Sequence, residues 1–247
     1  MQAKLIECVE VAPGLGHFVF EAQNGEARNG TGLDFIPGQF VSFTAEIVGN
    51  NAAQAKQITR AYSLASAPHS VSPENRFELC LNLAPEGLFS HYLFRMKPGD
   101  TVEMRPPLGM FVLRQPPRDS LFIATGTGIA PFRSMVKAHL SASSPRFTLL
   151  FGVRYESHLI YRAEFEDLAR RYPNFRFWPT LSRPEPSLQH PWSGRTGHVQ
   201  THMEEALEGR RDIDVYLCGL KLMVDDVRSR LKAAGFDRKQ IFYEKYD

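Results

Sequence analysis

The fifteen residues LFIATGTGIAPFRSM, at positions 121–135, constrain the fold more than any other stretch of the chain. An apolar run, two glycines and a helix start follow one another there, which predicts a strand, a turn and a helix. Gly126 and Gly128 flank Thr127 and let the backbone approach an anion closely, and Pro131 suits a first helical turn. The turn therefore predicts a pyrophosphate cradle at a helix amino end. An ordinary strand-to-helix turn is an equal alternative, because Pro131 stands where the G-x-G-x-x-G fingerprint has its last glycine.

Composition limits the class of protein. The 247 residues suffice for two domains, and 43% hydrophobic with 23% charged residues is ordinary for a globular chain. No apolar run is long enough to span a bilayer. The first twenty residues alternate apolar with polar and include acids, which predicts a strand rather than a signal peptide. We therefore expect a cytoplasmic protein with no membrane insertion.

Cysteine count and charge exclude other classes. Cys8, Cys80 and Cys218 are scattered and odd in number, which argues against a disulfide framework, a zinc site or a cysteine-ligated iron-sulfur cluster. Residues 1–115 hold 9 basic and 11 acidic residues, whereas 116–247 hold 20 and 16. The basic second half suits an anionic dinucleotide, but the imbalance is too small to suggest nucleic acid.

The first half of the chain is predicted to be an antiparallel β-barrel. Its short apolar or alternating runs are punctuated by Pro-Gly turns, and only Gly87–Met96 has a helical pattern. The predicted strands are Phe18–Glu21, Gln39–Ala45, Ala61–Leu64, Phe77–Leu83, Thr101–Arg105 and Gly109–Leu113.

The second half is predicted to be an α/β domain with a doubly wound parallel sheet, because strands and helices alternate. A proline-rich polar cluster at Arg114–Ser120 marks the linker, so we expect domains at 1–115 and 116–247. The predicted strands are Leu121–Ala124, Arg146–Val153, Arg176–Thr180 and Asp214–Cys218, and the predicted helices are Phe132–Leu140, Arg162–Tyr172, Val199–Leu207 and Lys221–Ala234.

Three further motifs accompany the glycine turn. They are Arg60-Ala61-Tyr62-Ser63, Gly87-Leu88-Phe89-Ser90 and Cys218-Gly219-Leu220-Lys221. In order and spacing, and over nearly the whole chain, they resemble the ferredoxin-NADP reductase family. The resemblance implies an FAD-binding β-barrel domain followed by an NADP-binding domain.

The resemblance implies flavin-binding roles in the first half. Arg60 would contact the pyrophosphate, Tyr62 would stack on the flavin, and the Ser63 hydroxyl would lie close to flavin N5. On a strand, Arg60 and Tyr62 share one face. The Gly87–Ser90 segment resembles the family's pyrophosphate turn, and Cys80, Leu81 and Asn82 match the strand beside the ribityl chain and the ring edge. Taken alone, the strand is explained better by an exposed arginine and a core tyrosine, and the downstream Gly87–Ser90 match reverses that preference.

The resemblance also implies a nucleotide site in the second half. Arg154, Arg183 and Arg195, with Ser182, match the phosphate-binding positions of NADP-dependent members, and arginine forks suit a 2′-phosphate. Each arginine alone could be a solvated loop residue, and Glu185 is close enough to leave NAD open. Cys218 would help to hold the nicotinamide, in a segment that continues through Gly219, Leu220 and Met223. A buried apolar thiol is the alternative for Cys218.

The chain end, IFYEKYD, resembles the terminal strand of the plastid-type enzymes. There a carboxylate lies two residues before an aromatic that covers the flavin. Glu244 and Tyr246 fit these two roles, with Glu244 assisting proton traffic through Ser63. Tyr243 is a rival for the stacking position.

These residues together predict a two-domain flavoenzyme that transfers electrons between NADP(H) and a one-electron carrier protein through FAD. The resemblance implies ferredoxin or flavodoxin as the carrier, and we expect a monomer. Ser63, Cys218, Glu244 and Tyr246 are the predicted catalytic residues. The alternatives are a flavin reductase or the reductase component of an oxygenase system, and, from a different class, a nucleotide-binding regulatory module.

Overall fold

The structure is a computed structural model that describes residues 1–23, 33–48, 54–68, 75–185 and 191–246. Its contacts divide the chain into two compact units. Unit 1 comprises Met1–Val112 with Arg133–Ala138, and unit 2 comprises Leu113–Phe132 with His139–Asp247. Each unit is described by itself.

Unit 1 is a six-stranded antiparallel barrel, as the sequence predicts. Its strands are β1 (Gln2–Ala12), β2 (Leu15–Gln23), β3 (Phe40–Val48), β4 (Ala55–Ser63), β5 (Arg76–Asn82) and β6 (Thr101–Leu108), with one helix, α1 (Leu88–Arg95). The strand order is β4-β3-β6-β1-β2-β5. An antiparallel bridge between Leu64 and Leu79 joins the two outer strands, so the sheet closes on itself.

Aromatic side chains fill the barrel because alternate strand residues point inward. Phe20 on β2 lies 4.9 Å from Phe43 on β3 and 5.9 Å from Phe77 on β5, between ring centroids. Helix α1 adds Phe89 and Leu93 to the same buried cluster. The helix is thereby fixed against the barrel, and with it the turn that precedes it.

The predicted strand Gly109–Leu113 is wrong, because these residues are irregular. Gly109 has a φ of +110°, which ends the extended backbone after β6. The segment then runs against the Pro37-Gly38 turn, where a Cβ on Gly38 would lie 2.0 Å from the Phe111 carbonyl oxygen. In the described part of the chain, none of these residues pairs with a strand.

Unit 2 is a doubly wound parallel sheet with the strand order β10-β9-β8-β7-β11-β12. The strands are β7 (Ser120–Thr125), β8 (Phe147–Val153), β9 (Phe175–Leu181), β10 (Arg195–Thr196), β11 (Asp214–Leu220) and β12 (Ile241–Tyr246). The helices are α2 (Ala130–His139), α3 (Arg162–Arg171), α4 (Met203–Leu207) and α5 (Lys221–Ala233). The prediction of one helix over Val199–Leu207 is correct only in part, because Val199–His202 forms a 3₁₀ turn.

The strand order places a ligand crevice. The sheet grows to one side of β7 through β8, β9 and β10, and to the other side through β11 and β12. Ligands bind to such sheets at the carboxyl ends of the strands where the order reverses. In this sheet the reversal lies between β7 and β11, which end at Thr125 and Leu220.

Two absences concern the described residues only. No helix among them is both long and apolar enough to cross a bilayer. No three histidine, cysteine or acidic side chains in the described ranges are grouped so that they could hold a metal ion.

Candidate functional site

The glycine turn lies at the strand-order reversal, where the sequence predicts an anion cradle. It forms a 3₁₀ turn, Gly126–Ile129, that leads directly into α2, with Pro131 in the first turn of the helix. Gly126 has a φ of +55°, and a Cβ there would meet nothing within 4 Å, so its backbone faces open space. No acidic residue lies in the first turn of α2. Amides at such a helix end can therefore meet an anion.

The end of β11 packs closely on the same turn. A Cβ on Gly128 would lie 2.4 Å from the Cys218 carbonyl oxygen, and one on Gly219 would lie 2.2 Å from Thr125 Oγ1. Thr125 Oγ1 accepts a hydrogen bond of 3.2 Å from the Leu220 amide. Both glycines are thus required by the approach of the two strand ends. Thr125 is not among the predicted site residues, although its position directly before the glycines is a usable signal.

Cys218 is fully buried, which fits the alternative of a buried apolar thiol. It also lies near the carboxyl end of β11, where the nicotinamide site is predicted. It pairs with Ala124 on β7 and with Glu244 on β12. Burial, reinforced by the nearby Glu244 charge, raises the pKa of the thiol well above its usual value, and a hydrogen bond with Tyr246 opposes the shift. Cys218 therefore remains a neutral S–H group, which suits packing and hydrogen bonding rather than nucleophilic attack.

Strand β12 separates the two terminal tyrosines. Residues two apart on a strand share a face, so Glu244 and Tyr246 lie on one face and Tyr243 on the other. Tyr243 receives the Arg228 guanidinium 3.7 Å above its ring. Tyr246 instead reaches Cys218. The hydrogen bond to the thiol distinguishes Tyr246 from its rival, and the role of Tyr246 in covering a flavin stays a prediction.

The predicted phosphate-binding residues divide into two groups. Arg154, Ser182 and Arg183 lie together beyond the ends of β8 and β9, because the Ser182 and Arg183 amides donate to the Val153 and Arg154 carbonyls at 2.9 Å each. Arg154 and Arg183 are exposed, and neither has an ion-pair partner within the part of the chain that the structure describes. Arg195 is already engaged, since its Nη2 donates to Glu205 Oε1 at 2.8 Å. Glu205 is not among the site residues that the sequence predicts.

Met223 points away from the crevice. It is 5% exposed on α5 and belongs to the cluster that packs beneath α4 and α5 with Leu217 and Val224. Leu220, by contrast, is 61% exposed at the end of β11. Direct contact with a nucleotide is therefore open to Leu220, whereas Met223 can act only by supporting the start of α5.

In unit 1, strand β4 carries the Arg60–Ser63 motif. Arg60 is exposed, and its Nη1 donates to the neighbouring Thr59 carbonyl at 2.9 Å. Tyr62 is half-buried between Phe43 and Phe89, with centroid distances of 5.9 and 6.2 Å. Burial raises the Tyr62 pKa, with Arg60 opposing, so the phenol stays protonated. Ser63 is 6% exposed at the strand end.

The turn before α1 lies beside this strand, because Tyr62 contacts Phe89. The Ser90 hydroxyl accepts from the Ala84 amide at 3.2 Å and donates to the Gly87 carbonyl at 2.8 Å. It therefore shapes the turn from within, whereas the sequence analysis expected it to meet an anion. No side chain caps α1 and no acid lies in its first turn, so the backbone amides there are the better anion donors.

The predicted strand beside the ribityl chain is β5. Cys80 and Leu81 are buried, and Asn82 is exposed at its end. Leu88, after the turn, is 38% exposed. Asn82 and Leu88 can therefore touch a ligand directly, whereas Leu81 packs in the barrel core and Cys80 is buried on the opposite face of β5.

Comparisons with known proteins match a separate family model to each half of the chain. The family model described as an oxidoreductase FAD-binding domain matches residues 2–113, and the one described as an oxidoreductase NAD-binding domain matches residues 122–229.

Among similar proteins, Ferredoxin--NADP reductase B of Sorangium cellulosum (strain So ce56) is 38% identical, over 100% of this chain and 97% of its own. The toluate 1,2-dioxygenase electron transfer component of Pseudomonas putida is 31% identical over 87% of this chain, which matches 59% of that relative. The structure of a ferredoxin NADP+ reductase from Neisseria gonorrhoeae with bound FAD and NADP has a TM-score of 0.78, covering 99% of this chain and 98% of its own. At 22% identity, that structure supports the fold alone.

Proposed function

Because this chain belongs to the ferredoxin-NADP reductase family, we propose that it transfers electrons between NADP(H) and a one-electron carrier protein, ferredoxin or flavodoxin, through bound FAD. The observation that carries the proposal is the 38% identity to a ferredoxin-NADP reductase along the full length of this chain. FAD supplies the step from two-electron to one-electron chemistry, which side chains cannot perform.

The residues of unit 1 fit an FAD. Its pyrophosphate needs a cation or helix amides, and its ring needs an apolar or aromatic face. Arg60 offers a guanidinium with no carboxylate partner in the described ranges, and the amino end of α1 is uncapped. Tyr62 lies next to that helix end through Phe89. We assign Arg60 and the α1 amides to the pyrophosphate and Tyr62 to the ring.

Catalysis by this chain is positioning. Cys218, held neutral by burial, offers a compact S–H group at the carboxyl edge of unit 2, and Tyr246 lies on that thiol. We infer that Tyr246 withdraws when a nicotinamide takes its place. Glu244 pairs with Cys218 on the neighbouring strand, where a carboxylate can accept or return a proton. Ser63 is assigned to the flavin edge, where its hydroxyl would orient the ring.

The nucleotide is assigned as NADP(H). Arg154 and Arg183 place two guanidinium groups beside Ser182, neither of them in an ion pair with a described residue, and bidentate arginine contacts suit a 2′-phosphate. The turn at Gly126 and Gly128 is assigned to the pyrophosphate. Residues 1–115 and 116–247 are proposed as the FAD and NADP domains. We also propose a monomer in the cytoplasm, a reducing compartment that suits cysteines that form no disulfide.

A second candidate function has a specific observation in its favour. The 31% identity to an oxygenase electron transfer component suggests that the electron acceptor is an oxygenase partner rather than a general carrier. The chain matches only 59% of that relative, so it would have to serve such a partner without the remaining part.

The first experiment mixes the purified flavoprotein anaerobically with NADPH and, separately, with NADH, and follows the visible flavin spectrum. We expect bleaching at far lower NADPH than NADH concentration, and then oxidation by added ferredoxin or flavodoxin. A colourless protein that cannot be reconstituted with FAD would refute the proposal. Reduced enzyme that responds only to an oxygenase component would support the second candidate.

Two variants test the flavin assignments. Arg60→Gln should weaken FAD binding, whereas Lys56→Gln, which removes an exposed cation from the same strand, should leave it unchanged. Ser63→Ala should slow flavin reduction by NADPH more than it weakens FAD binding. Equal FAD loss from both strand variants, or flavin loss from Ser63→Ala without slower reduction, would contradict these roles.

A further inference from the structure

Arg195 is held in a latch, which we define as the cluster Arg195, Glu205 and Trp178. Arg195 Nη2 donates to Glu205 Oε1 at 2.8 Å and Nε donates to Oε2 at 3.4 Å. The guanidinium carbon also lies 3.8 Å from the centroid of the Trp178 ring. A fork on a carboxylate and a stack on an indole are the two contacts that arginine makes best.

The register of β10 allows the Arg195 side chain to point either toward Trp178 or toward Ser182. Arg195 pairs with Thr180 on β9, so its side chain emerges on the same face as Trp178, two residues before, and Ser182, two residues after. In the latch the guanidinium points back over Trp178. Turned toward the carboxyl end of the sheet, it points instead to Ser182, beside Arg154 and Arg183.

The latch is built to open. The Glu205 side chain is 55% exposed, and ion pairs at such sites are weak because water screens them. A phosphate monoester carries nearly two negative charges and more acceptor oxygens than a carboxylate, so it competes well for a guanidinium.

We propose that Glu205 is a specificity-determining residue that holds Arg195 on Trp178 and yields it to the 2′-phosphate of NADP(H), thereby setting how strongly the chain prefers NADPH over NADH. The inference rests on NADP(H) being the nucleotide of this chain. Glu205 competes only with the 2′-phosphate, so it weakens NADPH binding and leaves NADH binding unchanged.

Calorimetry on the FAD-loaded protein tests the latch, with adenosine 2′,5′-bisphosphate and 5′-AMP as probes. Glu205→Gln should bind the bisphosphate roughly 2–5-fold more tightly than the wild type and 5′-AMP equally well. Glu204→Gln is the matched control, because Glu204 is 59% exposed one residue earlier and pairs with Arg211 instead. It removes the same charge without opening the latch. Arg195→Gln should weaken bisphosphate binding, and Glu205→Gln should have no effect in that background.

Nuclear magnetic resonance of the Arg195 Nε–H group gives a second measurement that changes neither residue of the pair. The signal, identified by its loss in Arg195→Lys, should shift when the bisphosphate is added to the wild type and stay in place with 5′-AMP. An unmoved signal, or equal affinities in Glu205→Gln and Glu204→Gln, would overturn the latch. A wild type that binds both probes equally would refute the NADP(H) assignment itself, which is a different failure.

Discussion

Gly128→Ala should damage unit 2 by steric overlap alone. The new Cβ would lie 2.4 Å from the Cys218 carbonyl oxygen and 2.8 Å from the Gly219 Cα, both of them backbone atoms that cannot turn aside. Bringing the closer contact to about 3.0 Å requires the turn and β11 to separate by roughly 0.6 Å, and overpacking of this kind costs about 1–3 kcal/mol. The 3.2 Å bond from the Leu220 amide to Thr125 Oγ1 would be strained as well.

A loss of about 3 kcal/mol corresponds to a fall in melting temperature of roughly 6–12 °C for a chain of this size. Differential scanning calorimetry of the FAD-loaded protein measures it. Because the same shift displaces the turn at the strand-order reversal, the affinity for adenosine 2′,5′-bisphosphate should fall too.

Gly126→Ala is the matched control two residues away. There the backbone is left-handed, with a φ of +55°, but a Cβ would meet nothing within 4 Å. An alanine in that conformation costs about 1–2 kcal/mol and displaces no neighbour. The reasoning is refuted if Gly128→Ala melts at the wild-type temperature, or is less destabilised than Gly126→Ala.

Three further predictions concern buried polar groups. Ser90→Ala should lower the free energy of unfolding by about 1–2 kcal/mol in urea titrations and hasten FAD release, because the hydroxyl bridges the turn before α1; unchanged values would contradict this role. Cys218, fully buried and with a raised pKa, should resist iodoacetamide in the native protein and react once it is unfolded, whereas rapid native labelling would contradict the assigned burial. Burial raises the pKa of the fully buried Asp214 carboxyl more than Arg114 and Arg118 lower it. A raised folded-state pKa means that stability falls as pH rises from the ordinary aspartate value through the folded-state value, so Asp214→Asn should gain stability relative to the wild type over that rise. A loss of about 3 kcal/mol at alkaline pH would show instead that the ion pairs are net stabilising.

The sequence predicts the sheet of unit 2 well because its strands are buried on both faces. Strand β8 is an apolar run between polar turns, and β11 is another, so their limits are visible without a structure. The glycine turn is predictable for a steric reason, because a side chain at position 128 would overlap the Cys218 carbonyl. The segment 109–113 was mistaken for a strand because local alternation does not reveal whether a partner strand lies beside it.

The roles of polar side chains were harder to predict, because each depends on which partner the fold brings near. Ser90 lies at the helix start where the sequence predicts an anion, yet its hydroxyl makes its hydrogen bonds to Ala84 and Gly87 within the turn. Arg195 has the spacing of a phosphate ligand, but Glu205, ten residues later, takes its guanidinium. Spacing along the chain indicates which side chains can reach a site. It does not indicate which other residues of the protein compete for the same side chains.

Competition of this kind has a functional consequence at an exposed arginine. A guanidinium left without a partner would attract small anions such as inorganic phosphate as well as a 2′-phosphate. Arg195 pairs with Glu205 and stacks on Trp178. An anion that binds Arg195 must break these contacts, so binding is favourable only for a ligand that replaces both. The same latch that weakens NADPH binding therefore also limits binding of weaker anions. If Glu205→Gln tightens binding of adenosine 2′,5′-bisphosphate, it should also raise the affinity for inorganic phosphate at this edge of the sheet.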